Sequence, residues 1–286
     1  MSGPVVLTSR ATPRPRPGSA ANPGPTRISA VDRLGLRLRA LTPATPHTYS
    51  VVDLSAEAFT GSAARSGWLP VTEALPAMLA GAGEHLCVSP AVTGARLIGS
   101  LGYAAAGRLA VALSVTGQAY DTGPGSLAVR LDDAGLIERI GVRDPTVAIP
   151  ASEATPGLAP VIRLRDRAAV IAWAADRAWA TLDPLIDELH AATRYGRVPM
   201  WNLVADSVLG PATVAPRLAG LDQRAGRATG WAFLDALVDR GAPIHRRGTL
   251  RPSPEPDLLT PVRGSCCLVF RQSKEKCDSC PLVAAV

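Results

Sequence analysis

Apolar residues recur at helical spacing over most of the chain from residue 69 onward, and alternate with polar ones in a single place. "LPVTEALPAMLAGAG" (69–83) predicts a helix with Pro70 near its start, and "VVDLSAEAF" (51–59) a shorter helix before it. "SPAVTGARLIGSLGYAAAGRLAVALSVTG" (89–117) predicts a long helical stretch broken into two. Its glycines at 94, 99, 102 and 107 suit close packing; with no G-K-[ST] after them and no strand before, they do not form a phosphate loop. In "SLAVRLDDAGLIERIGV" (126–142) the alternation on both sides of "DDAG" predicts a β-hairpin turning at Gly135.

Beyond the connector "PASEATPGLAP" (150–160), Val170, Ile171, Ala174, Ala178, Trp179 and Leu182 fall on one helical stripe. Asp183 followed by Pro184 has the form of an N-cap and first-turn proline, which predicts a new helix reaching about Thr193. Pro199 opens a further helix over "PMWNLVADSVLG". Trp231, Leu234, Leu237 and Val238 place another over 230–241, with Gly241 as its C-terminal cap. The polar, proline-rich stretch that follows leads into the last cysteines, and no internal repeat is visible.

The expected fold class is therefore α+β: helix-dominated, with a small antiparallel β element and a C-terminal cysteine-rich segment. The expected parts are a tail (1–45), a helical and hairpin part (46–150), a helical part (151–260) and a cofactor-binding segment (261–286).

Charge changes the picture of possible partners. The net charge is +6, yet the first 40 residues hold seven arginines against one acid, and the remainder is balanced. The basic character belongs to a Pro/Gly/Ser/Arg-rich tail expected to be disordered, so nucleic acid is not an expected partner. The tail has no apolar core run of a secretory signal, and no eighteen consecutive apolar residues occur, so no transmembrane segment is expected. Peripheral membrane contact through the basic, amphipathic "VDRLGLRLRAL" (31–41) is the one membrane role left open. The expected compartment is the cytoplasm, where clustered thiols signify metal more often than disulfides.

Four of the five cysteines lie within fifteen residues: Cys266, Cys267, Cys277 and Cys280. That density is not incidental. Zinc takes four thiolates tetrahedrally, usually from two C-x₂₋₄-C knuckles, and Cys277/Cys280 fit that pattern while Cys266/Cys267 do not. Adjacent side chains of extended backbone diverge, so two neighbouring thiols reach one ion only through a sharp turn. A [2Fe–2S] cluster relaxes that demand, because each of its two irons needs only two thiolates. Spacing alone leaves both cofactors open. Cys87 has the setting of a buried small hydrophobe, and His47, His85, His190 and His245 show no ligand spacing. Trp201 and Asn202 are candidate pocket residues, with a core Trp and a helix-end Asn as the simpler reading.

The ending "RGSCCLVFRQSKEKCDSCPLV" resembles the C-terminus of the FhuF-like ferric-siderophore reductases. In that family an Arg precedes a Cys-Cys pair, an aromatic residue and an Arg follow, and a C-x-x-C comes shortly before the end. Arg263, Cys266, Cys267, Phe270, Arg271, Cys277 and Cys280 take those places here. Nine residues separate the two cysteine pairs, where the family usually has ten. "GARLIGSLGYAAAGRLAVAL" and "VPMWNLVADSVLG" resemble the family's small-residue helix and its tryptophan–asparagine helix start. The resemblance, over about residues 50–283, implies that the four cysteines hold a [2Fe–2S] cluster which reduces siderophore-bound iron(III), of hydroxamate type, by one electron. No nicotinamide, flavin or P-loop fingerprint is present, so the donor expected is a separate protein, such as a ferredoxin or reductase, or a small reductant. A non-catalytic zinc-knuckle protein and an iron–sulfur redox or iron sensor are the alternative readings. Between residues 240 and 276 eight basic side chains face three acids, a charge suited to an anionic chelate or an acidic donor protein.

Overall fold

A computed structural model describes residues 67–85, 88–143, 146–153, 161–252, 259–268, 271, 276–277 and 279–283. The arginine-rich tail, the helix expected over 51–59, His47, Cys87 and Phe270 lie outside the described residues.

Strand β1 (Trp68–Pro70) leads directly into helix α1 (Val71–His85). Val71, Ala74, Leu75, Met78 and Ala82 repeat at helical spacing on α1 and are buried. The long small-residue stretch does not break. Helix α2 (Pro90–Gly102) passes through a π-helical turn (Tyr103–Gly107) into α3 (Arg108–Thr116), and Gly117, at φ 72°, ends it by donating to the Leu113 carbonyl. A Cβ on Gly107 would stand 2.4 Å from the Ser207 carbonyl, so this contact with a neighbouring helix requires glycine. By length and composition Pro90–Thr116 is apolar enough to cross a membrane, the only such helix among the described residues. Sixty-seven per cent of its most apolar window is buried inside the protein.

The hairpin forms as expected from β3 (Leu127–Leu131) and β4 (Ile137–Val142), with Gly135 at φ 73° in its turn. Asp132 Oδ1 accepts from the Ala134 and Leu136 amides and closes the turn. The β content exceeds that one hairpin. Strand β1 pairs antiparallel with β3. A second sheet joins β2 (Ala119–Tyr120), β5 (Val147–Pro150) and β6 (Val161–Leu164), β5 and β6 running parallel across the proline-containing connector. These strands span two to four residues, too short for a readable alternation.

Helix α4 (Arg167–Thr193) is one element of 27 residues, without the break expected at Asp183–Pro184. Its N-cap is Asp166, whose Oδ1 accepts from Ala169 N at 2.8 Å. Asp183 instead receives Arg197 Nη2 at 2.7 Å. An interior proline costs about 3 kcal/mol. Leu182, Leu185, Ile186 and Leu189 continue the buried stripe across it, and each such burial contributes roughly 1.5–3 kcal/mol. Burial outweighs the local rule.

Helix α5 (Arg197–Leu218) starts two residues before Pro199, and α6 (Gln223–Val238) starts seven before the expected Gly230. Helix α6 ends as its sequence suggests: Gly241, at φ 98°, donates to Val238 O while Ala242 donates to Leu237 O, a Schellman closure. The proline-rich stretch after it holds an unexpected hairpin, β7 (Thr249–Pro252) with β8 (Leu259–Val262), whose prolines sit in a two-stranded ladder. One apolar core runs through α1 to α6 and the first two sheets.

Candidate functional site

Helix α5 is the post on which the cysteine segment hangs. Met200, Trp201, Leu203 and Val204 fill the core, while Asn202 and Asp206, one turn apart, serve the chain that returns from α6. Asn202 Oδ1 accepts from the amides of His245 (3.0 Å) and Arg246 (2.9 Å). Asp206 accepts from Gly264 N (2.6 Å), Ser265 N (3.0 Å) and Ser265 Oγ (2.5 Å). Gly264 lies so close to residues 246 and 247 that a Cβ there would meet the Arg247 carbonyl carbon at 2.8 Å. The exit from β8 is thus fixed one residue before Cys266. Burial pushes the Asp206 carboxyl up, opposed by the hydrogen bonds from Ser265 and Gly264 and by the charge of Arg263.

The two cysteine pairs are tied to each other by the backbone. Arg263 N donates to Ser279 O at 2.9 Å, and Cys280 N donates to Cys277 O at 2.9 Å, turning the C-x-x-C. Cys280 is buried, Cys266 and Cys267 are half-buried, and Cys277 is exposed. Leu268 adopts φ 60°, unusual for a branched residue. That bend brings its amide to within 3.4 Å of Cys266 Sγ, and Cys267 and Leu268 pack against the core. Partial burial of its thiol raises Cys277; Arg263 opposes this, and Cys267 and Cys280 add to it. Cys266 and Cys267 also act on Tyr195, whose hydroxyl is pushed up to about 12, chiefly by burial.

Among the described residues no three His, Cys, Asp or Glu side chains converge on a point that one ion would occupy. His190 Nδ1 is engaged with the Tyr195 carbonyl, 2.8 Å away, and His245 is held through its backbone.

Cys267, Cys277 and Ser279 open onto a cleft of about 1240 Å³. Its other walls include Arg96, Tyr103 and Arg108 from the long helix, Arg139 on β4, and Arg227 on α6. Arg108 is buried, with its guanidinium 5.3 Å from the Tyr103 ring centre; desolvation holds it below the usual arginine range. Two of the basic residues expected near the cysteines are engaged elsewhere. Arg240 pairs with Asp176, and Arg247 with Asp235 at 2.6 Å. Trp201 and Asn202 are both buried, Trp201 in the core and Asn202 as a backbone clamp. Sequence reasoning missed Asp206, Ser265 and the cleft arginines. Asn202 and Asp206 stand four apart on α5, but Arg197, Ser207, Thr213 and Arg217 are polar positions of the same helix, so the pair carries no distinct signal.

A family model described as the FhuF 2Fe-2S C-terminal domain matches residues 263–282. No curated protein and no solved structure matches the chain. The matched segment spans both cysteine pairs and begins at Arg263.

Proposed function

We propose that this FhuF-like chain, whose end is a [2Fe–2S] domain, is a ferric-siderophore reductase of the cytoplasm, with Cys266, Cys267, Cys277 and Cys280 as the cluster ligands. The donor set suits that group. The segments carrying the two cysteine pairs are tied by the hydrogen bond from Arg263 N to Ser279 O; a diiron rhomb asks only two thiolates of each iron, and no three need meet at a point. When bound, the cluster supplies one electron at a time.

The observation that carries the reading is that Cys267 and Cys277 open onto a cleft of about 1240 Å³. Such a volume admits a whole chelate beside the electron carrier. The chain's own residues then have distinct tasks. Asp206 and Asn202 fix the two backbone segments that carry and support the first cysteine pair. The Leu268 amide donates toward Cys266 Sγ, and N–H donors of this kind raise a cluster's potential. Arg263 offsets negative charge beside Cys277. In the substrate, one electron converts iron(III) to iron(II), for which hard oxygen ligands have far lower affinity, so the metal is released. A separate donor, a ferredoxin or reductase, restores the electron.

The test is stopped-flow mixing of anaerobically reduced protein with a ferric trihydroxamate and a chromophoric iron(II) trap. One iron(II) trapped per electron held is the expected result. A reduced protein that keeps its electron while the chelate stays ferric overturns the reading.

A further inference from the structure

We infer that the cleft beside Cys267 and Cys277 selects ferric chelates that carry net negative charge. The inference rests on the proposed reductase reading and adds to it the class of substrate.

Five arginines line the cleft (Arg96, Arg108, Arg139, Arg227 and Arg263) against two acids, Glu138 and Asp206. Both acids are already committed. Glu138 takes Arg130 Nε and Nη2 on its two oxygens, at 2.8 and 2.7 Å, so the pair is neutral as a unit. Asp206 is occupied by Gly264 and Ser265. Among the described residues no carboxylate lies within ion-pair distance of Arg96, Arg139, Arg227 or Arg263.

Donor capacity is left over in the same walls. Arg227 gives Nη2 to Gly248 O at 2.9 Å and lies over the Trp231 ring at 5.6 Å, while its buried Nη1 has no hydrogen-bond partner. The buried Nε of Arg96 likewise has none. A buried guanidinium N–H left unsatisfied loses the hydration it had in water, and a carboxylate oxygen is the acceptor that relieves it best. The arginines come from α2, α3, β4, α6 and the segment entering the cysteines, so their fields add in one concavity. Anionic groups on a chelate gain there, and a chelate with a pendant ammonium is repelled.

The experiment separates chelate charge from chelate shape. One linear trihydroxamate is prepared with its terminal amine free, acetylated or succinylated, giving metal complexes that are cationic, neutral and anionic. Gallium(III) complexes keep the ferric charge and geometry but accept no electron, so calorimetric titration into the full-length protein reads binding alone. Kd is expected to fall from cationic to neutral to anionic, by at least about tenfold overall at low salt, with the order collapsing near 0.5 M salt, where the Debye length is about 4 Å. Arg139→Glu, at an exposed position on β4, is expected to close most of the gap, with Arg139→Lys restoring it; Arg227→Gln is expected to narrow it. Equal binding of the three complexes overturns the inference, as does an order unchanged in both Arg139→Glu and Arg227→Gln. If the gallium order holds but none of the ferric complexes is reduced, the selectivity stands and the reductase reading falls.

Discussion

The two faces of helix α5 differ in how they hold their surroundings. Toward the core, Met200, Trp201, Leu203, Val204 and Val208 are buried in an apolar cluster shared with every long helix. Each contributes through area removed from water, roughly 1.5–3 kcal/mol for a side chain of this size. Toward the C-terminus, Asn202 and Asp206 hold the returning chain with five hydrogen bonds, four from backbone amides and one from the Ser265 hydroxyl, and with little apolar surface. The frame is over-determined by many weak contacts, whereas the cysteine segment depends on a few directional ones. It even keeps a left-handed Leu268, a conformation that costs about 1–3 kcal/mol and persists because its neighbours hold it. Damage to the frame is therefore expected to appear as lost stability, and damage to the segment as lost cofactor.

The sharpest way to break that contrast is at the thiols. Serine in place of Cys266, Cys267, Cys277 or Cys280, one at a time, is expected to abolish or sharply diminish the visible absorbance and the reduced-state EPR signal while leaving far-UV circular dichroism unchanged. A serine variant with full cluster content removes that cysteine from the ligand set. A loss of helix in the exposed-site variant Cys277→Ser shows that frame and segment fold as one. Next in size is Asp206→Ala, which strands the donors of half-buried Gly264 and buried Ser265. It is expected to cost roughly 2–4 kcal/mol in chemical denaturation and to reduce cluster occupancy, with Asp206→Asn, which keeps one acceptor, intermediate in both.

What could be read from the sequence divides along the same line. The α+β class, the 126–142 hairpin and the Gly241 cap were legible because each is written locally, in alternation or in a residue that alone tolerates positive φ. The cysteine constellation was legible from density. The break at Asp183–Pro184 was misread because a real local signal was overridden by a buried stripe continuing through Leu185 and Leu189. The Asp206 clamp and the arginine cleft were not legible, because the clamp joins residues 58 and 59 positions apart, the cleft gathers arginines scattered from 96 to 263, and nothing in a linear pattern reports such proximity.

Within the frame, Gly107→Ala tests whether the π-helical turn is packed as tightly as the contacts imply. The added methyl would stand 2.4 Å from the Ser207 carbonyl and 2.6 Å from Tyr103 Cδ2. Forcing the long helix away from α5 is expected to cost about 1–3 kcal/mol in urea denaturation, with cluster spectra unchanged at temperatures where the variant is folded. A cluster lost along with the stability would mean that the frame transmits strain to the thiols.

The smallest effect lies where the two regions meet, at Tyr195. Its hydroxyl is pushed up from the ordinary 10 to about 12, by burial first and then by negative charge from Cys266, Cys267 and Asp206. A group raised in this direction keeps its proton in the folded chain after the unfolded chain has released it. Its contribution to stability is therefore full below pH 10 and is lost as the pH climbs toward about 12. The denaturation midpoint of the wild-type protein is expected to fall between about pH 9 and about pH 11, and that of Tyr195→Phe to fall less steeply. Tyr120, also raised by burial, keeps its share of the slope in both proteins, so the difference between the two curves belongs to Tyr195. Identical slopes would mean that the ring is more open to water than its packing beside the cysteines suggests.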